Sequence, residues 1–152
     1  MVREYSVGEL AKEAGCSAQS VRWYEAQGLM SAAARTAGNQ RRYGSGHLTR
    51  LKFLRHARDL GFSLDDIREL LSLTGRPDIP CEDADRIASR HLGLVEERLA
   101  ALGELRDELK TMVHECQGGR IADCRVIEVL SDHHKCQHEE HSKALPSGTL
   151  QT

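Results

Sequence analysis

The front of the chain sets short apolar stripes between turn residues. Val7-Gly8-Glu9-Leu10-Ala11 follows Ser6, and Ser6 with Glu9 makes a Ser-x-x-Glu capping box that opens a short helix. Gly15 ends it, Ser17 caps a second helix from Ala18 through Glu25, and Gly28 stops that one. Small Ala11 admits close helix approach, Gly15 admits the sharp turn, and Leu10 and Val21 can close the core between the helices. The pair predicts a helix-turn-helix whose second helix enters a major groove. Arg35 to Tyr43 then mixes turn residues, cations and an aromatic, which predicts a β-hairpin wing. A further helix pair, His47 to Leu60 and Ser63 to Leu73, carries Leu48, Leu51, Leu54 and Ala57 at helical spacing, with Gly61 between the two. Ser63 caps the second of these, and Asp65 and Asp66 suit its N-terminus.

Behind the breaker-rich linker Gly75-Arg76-Pro77-Asp78-Ile79-Pro80, no proline interrupts the run from Glu82 to about His114, which predicts one long helix. Ala88, Leu92, Val95, Leu99, Leu102, Arg106, Leu109 and Val113 recur at alternating steps of four and three, the spacing of a coiled-coil seam. A lone amphipathic helix of this length needs a partner, so dimerisation is expected. Arg125 to Leu130 reads as a short amphipathic helix. The expected organisation is a winged helix-turn-helix domain over residues 1–75, a linker and dimerisation helix over 76–115, a loop and short helix over 116–131, and a flexible His/Cys-containing tail over 132–152.

Composition supports a mainly α protein. Only 4% of the 152 residues are aromatic, so the core must be built from aliphatic side chains, which suits helices better than a sandwich. No apolar run approaches the ~20 residues that span a bilayer, and the first five residues lack the apolar stretch of a secretion signal, so a soluble, cytoplasmic protein with no membrane partner is expected. The net charge of -2 conceals a division: residues 1–58 carry ten Lys+Arg against four Asp+Glu, and the remainder eleven against nineteen. A basic front facing an acidic rear points to a polyanion at the front. On the second helix Gln19, Arg22 and Tyr24 could reach base edges or phosphates, and in the wing Arg35, Arg41 and Tyr43, with Arg42 beside them, could hold the DNA backbone. Tyr43 could equally anchor the core with its hydroxyl at the surface.

Five cysteines, an odd number in a reducing compartment, argue for metal ligation or reactive thiols rather than a disulfide framework. Cys16 sits in the helix-turn-helix turn and reads as a small core residue. Cys81 opens the long helix, and Cys116 and Cys124 bracket a glycine-containing loop after its end. At ~1.5 Å per residue that helix holds Cys81 roughly 50 Å from Cys116, too far for a shared ion. If two helices pair antiparallel, Cys81 from the partner subunit meets Cys116 and Cys124, and the dimer builds two three-thiolate sites. Thiolates favour Zn, Cd, Pb, Hg or Cu(I) over Mg or Ca. A fourth ligand could come from His114, the tail, water or an anion; the tail offers His133, His134, Cys136 and His138, either to this site or to a second one. A redox sensor using an iron–sulfur cluster or a disulfide is a competing reading, although a cluster usually needs four close cysteines. A zinc-thiolate enzyme would need an open coordination position beside a general base and would not need the wing, so the reading is of a protein that is not an enzyme.

Val21 to Leu29, Arg35 to Tyr43, and Leu60-Gly61-Phe62-Ser63-Leu64-Asp65-Asp66-Ile67 together resemble the MerR family of bacterial transcription regulators. The resemblance implies a winged helix-turn-helix that binds an inverted-repeat operator as a homodimer joined by an antiparallel coiled coil. It implies DNA contacts at Arg22, Tyr24, Arg35, Arg41 and Tyr43; many members have Tyr where this chain has Gln40. Members sit on a promoter with an overlong spacer and, when metal binds, twist and kink the DNA until RNA polymerase can read both of its elements. The eight-residue cysteine spacing is similar to that of the Cu(I)-sensing branch, but that branch has Ser at the position of Cys81, whereas divalent-sensing members carry Cys there. The resemblance therefore implies a soft divalent ion, with Cu(I) as the alternative, and control of a metal-resistance or efflux promoter.

Overall fold

Ser6 opens the first helix as its spacing requires: the Glu9 amide donates to Ser6 Oγ at 3.3 Å while the Ser6 amide donates to Glu9 Oε2 at 2.7 Å. In the computed structural model, which describes residues 4–116 and 118–138, helix α1 spans Val7–Ala14 and closes at Gly15, a left-handed residue with φ 68°. Ser17 then caps α2, Ala18–Ala26, accepting from the Ser20 amide at 3.0 Å. Strands β1, Ala34–Arg35, and β2, Arg41–Arg42, pair antiparallel with Ala34 opposite Arg42, forming the wing. Asn39, at φ 60°, lets the wing turn, and its Oδ1 accepts from Arg35 Nη1 at 2.6 Å. Tyr5 and Tyr43 exchange both backbone hydrogen bonds, at 2.8 and 3.0 Å, tying the exit of the wing to the start of the chain.

Two further helices support this frame, α3 over Ser45–Asp59 and α4 over Leu64–Thr74, the latter capped by Ser63 accepting from the Asp66 amide at 3.1 Å. Leu10, Val21, Tyr43, Leu51, Leu54 and Ile67 are wholly buried in one apolar cluster. Each large apolar side chain removed from water there contributes on the order of 1.5–3 kcal/mol, so the helix-turn-helix is held by its own core. Helix α5 runs from Glu82 to Glu115, 34 residues without a break.

The chain divides into two units, Met1–Ile87 and Ala88–Thr152. In the front unit, Arg86 Nη2 stands 2.6 Å from Glu69 Oε1 and so fixes the first turns of α5 to α4. The rear unit contains the remainder of α5, a 3₁₀ turn over Ile121–Asp123, helix α6 over Arg125–Ser131 and a second 3₁₀ turn over His133–Lys135. Among its described residues only Glu108, Met112 and Val129 are buried. The seam residues Leu92, Leu99, Leu102, Leu109 and Val113 all lie exposed on α5, Val113 at 71%. In the segment 132–138, Gln137 donates its amide to the buried Glu108 carboxylate at 2.6 Å, a charge-assisted bond that nothing in the local sequence announces. The rest of the tail, 139–152, and Gln117 of the loop lie outside the described residues. No helix of the described residues is long and apolar enough to cross a membrane.

Candidate functional site

Helix α2 and the wing converge on one cleft of about 370 Å³, lined by Arg22, Glu25 and Ala26 from the helix and by Ala32, Ala33, Arg35 and Arg41 around the wing. Gln19, Arg22, Arg35 and Arg41 are exposed, and Arg42 is half-buried. Three guanidinium groups around one carboxylate make a cleft that suits the phosphates of a nucleic acid. The carboxylate in turn faces inward. Burial first, and then Glu25 beside the hydroxyl, push the Tyr43 pKa from 10.0 up to about 12.

Two of the expected DNA contacts, Tyr24 and Tyr43, lie buried in the front unit. Tyr43 is wholly buried, held by its backbone pairing with Tyr5, and its hydroxyl is buried with it. Tyr24 is 7% exposed because it stands three residues after Val21 and shares that residue's buried helix face. Sequence reasoning also passed over Trp23, whose ring is 41% exposed on α2 and meets Tyr24 edge-on at 5.2 Å. Its signal was available, since it is the chain's single tryptophan and directly follows Arg22.

The rear unit brings two thiols together. Cys116 Sγ and Cys124 Sγ are 3.9 Å apart, with Cys116 exposed and Cys124 half-buried. Backbone N–H groups of Ile127, and then of Val126, pull the Cys124 pKa below the usual thiol value, with the Cys116 thiol adding to the effect. Two sulfurs on one ion with bonds of about 2.3 Å stand about 3.8 Å apart at a tetrahedral angle and about 4.6 Å apart in a line. The observed spacing therefore fits two adjacent positions of a three- or four-coordinate soft ion without movement of either sulfur.

The remaining candidate ligands are dispersed. Cys81 is exposed in the front unit, on the rim of an apolar groove shared with Phe53, Ile79 and Pro80. His114 lines the apolar face of α5 with Leu109 and Val113. Cys136 Sγ lies 3.8 Å from His133 Nδ1, and burial raises its pKa, with Glu108 adding to the rise. His134 is exposed and His138 half-buried. Among the described residues no three His, Cys, Asp or Glu side chains converge to hold a metal. Cys16 is half-buried against the front core, and burial raises its pKa, as expected of a packing residue.

A capped helix pair, a hairpin wing and a cationic cleft between them define a winged helix-turn-helix regulator of the DNA-binding kind. Comparison with known families agrees: the model for MerR HTH family regulatory proteins matches residues 5–74, and that described as MerR, DNA binding matches residues 48–112. The HTH-type transcriptional regulator ZntR of Escherichia coli (strain K12) is 40% identical over 129 residues, covering 83% of this chain and 92% of that protein. Heavy metal-dependent transcription regulator 2 of Rhizobium meliloti (strain 1021) is 37% identical over 127 residues, covering 84% of this chain and 86% of its own length. Among solved structures, the transcription regulator PbrR691 from Ralstonia metallidurans CH34 in complex with lead(II) superposes with a TM-score of 0.72 at 36% identity, covering 83% of this chain and 98% of that one. The chain belongs to the MerR family of transcriptional regulators.

Proposed function

We propose that the protein is a homodimeric, metal-responsive regulator that holds operator DNA through α2 and the wing and activates a metal-resistance or efflux promoter when a soft divalent ion, Zn, Cd, Pb or Hg, occupies the thiol loop. Cys116 and Cys124 of one subunit bind the ion together with Cys81 of the other. The observation that carries this reading is the 3.9 Å spacing of the loop sulfurs, a distance at which both can reach one soft ion. The lead(II) in the PbrR691 structure and the heavy-metal dependence in the Rhizobium regulator's name support a soft ion.

The exposed seam of α5 is the surface through which a second copy pairs, antiparallel, so that each loop meets the other chain's Cys81. A bound ion supplies metal–sulfur bonds that tie the loop to the partner's helix start. Gln19, Arg22, Arg35 and Arg41 hold the DNA throughout. Induction needs only that the DNA-distorting conformation bind the ion better than the relaxed one, because that difference alone shifts the population toward the promoter form that RNA polymerase reads. The protein works in the cytoplasm and carries out no catalytic step. Because no third donor converges on the loop thiols among the described residues, Cu(I) held by the two loop thiols alone is the second reading.

Titration of the reduced dimer with Zn, Cd, Pb, Hg, Co and Cu(I), read as transcription from its own promoter and as bound ion per subunit, tests this. Activation by divalent ions that is lost in Cys81→Ser while operator binding persists supports the cross-subunit site. Activation by Cu(I) alone, insensitive to that substitution, supports the second reading. Loss of operator binding together with the metal response would make Cys81 structural and overturn its sensing role. A visible cluster spectrum in the purified protein would overturn both metal-ion readings in favour of a redox sensor.

A further inference from the structure

We propose that Arg125 is the positioning residue of the thiol loop, closing the loop's neck against Glu115 and so holding Cys116 and Cys124 at chelating distance before an ion arrives. This rests on the metal site proposed above. Glu115 is the last residue of α5 and Arg125 the first of α6, so the two stand one residue outside the two cysteines. Arg125 Nε lies 2.7 Å from Glu115 Oε2, and the ion pair therefore joins the loop's ends directly beside the sulfurs.

The described loop residues do not close it themselves. Residues 118–123 are exposed, Ile121 at 74%, and Gly118 and Gly119 stand at φ 79° and 138°, conformations that other residues rarely adopt. The hydrogen bonds inside the loop, Asp123 N to Arg120 O and Cys124 N to Ile121 O, shape only its second half. Arg125, in contrast, is held from behind. Its Nη1 donates to Glu128 Oε2 at 3.1 Å and its Nη2 to the Lys135 carbonyl at 3.2 Å, while Lys135 Nζ stands 2.6 Å from Glu128 Oε1. A guanidinium fixed on two sides by α6 and the tail turn holds its charge beside Glu115 with little rotamer freedom left to lose. Its side chain is only 29% exposed, so the pair is less screened than an ordinary surface pair. The same fork links the tail turn, with Cys136 and His133, to the neck of the loop.

The test reads the spacing of the thiols without a metal. Reduced, metal-free full-length protein is equilibrated in glutathione buffers, and the Cys116–Cys124 linked peptide is quantified by mass spectrometry. Oxidised glutathione accepts two electrons and two protons from the pair, yielding one protein disulfide and two glutathione thiols, so the equilibrium reports the effective concentration of one thiol at the other. Glu115→Gln and Arg125→Ala should each lower it by about two- to fivefold, and the double variant should fall no further than either alone. Glu115→Gln decides the matter if Arg125→Ala unfolds α6, because it leaves the bonds of Arg125 to α6 and the tail turn in place. Wild-type effective concentration in Glu115→Gln, or fully additive effects in the double variant, would overturn the proposal even if the protein binds Zn or Pb. The predicted loss in a protein that binds no soft ion would support the neck and sink the metal reading instead.

Discussion

Arg55 fills the space beside residue 15. Its Nη1 donates to the Ala14 carbonyl at 2.8 Å, and a methyl group on Gly15 would stand 2.0 Å from that nitrogen. Gly15→Ala must therefore adopt a left-handed φ of 68° and also displace the guanidinium that caps α1. The expected cost is about 1–3 kcal/mol. Urea denaturation of the two proteins measures it, and equal midpoints would show that the turn tolerates a side chain.

Arg22, Arg35 and Arg41 share one cleft, whereas Tyr43 lies beneath it with its hydroxyl buried. Substituting any of the three arginines by Ala should weaken operator binding and, because the dimer loses two cations, reduce the slope of log K against log salt by about 1.8. Tyr43→Phe should leave operator affinity unchanged at every salt concentration. Anisotropy titrations between roughly 50 and 200 mM salt separate the two behaviours; a loss of affinity in Tyr43→Phe would return the tyrosine to the DNA face.

Leu99 is 63% exposed on α5, so its replacement by Asp costs little in an isolated chain and much across a paired seam. The dimer dissociation constant of Leu99→Asp should rise by at least about a hundredfold, the equivalent of one buried leucine. Sedimentation over a dilution series measures it. An unchanged constant would place the dimer interface on another face.

The loop thiol and the tail thiol should react differently. Backbone N–H groups lower the pKa of Cys124, and burial raises that of Cys136. As pH rises, Cys124 reaches its thiolate first, and near neutral pH it should alkylate with iodoacetamide faster than Cys136. Mass-spectrometric competition labelling reads both sites in one sample, and faster labelling at Cys136 would contradict the assignment.

The caps made the front half legible: Ser6 with Glu9, Ser17 and Ser63 announce their helices through local chemistry, and each bond is found where the spacing puts it. The burial of the two tyrosines is not legible in the sequence, because a phenol suits a surface and a core equally well. Their burial follows from the face shared by Tyr24 with Val21 and from the pairing of Tyr43 with Tyr5 across nearly forty residues. The cysteine loop was visible as a spacing, but its closure depends on an Arg–Glu pair whose members look like ordinary surface charge in sequence. The ordered turn before residue 138 was not legible at all, since its anchor, Glu108, lies 29 residues before Gln137.

The bare face of α5 has a consequence for how the molecule behaves on dilution. The front unit carries its own core, whereas the described rear unit buries only three residues of one chain and leaves most of its leucines to water. In the proposed dimer its stability is a property of the solution as well as of the sequence, rising with protein concentration. A cell that holds too few copies would keep the DNA-reading half folded while the thiol-bearing half frays, and the threshold of the response would follow the abundance of the regulator itself.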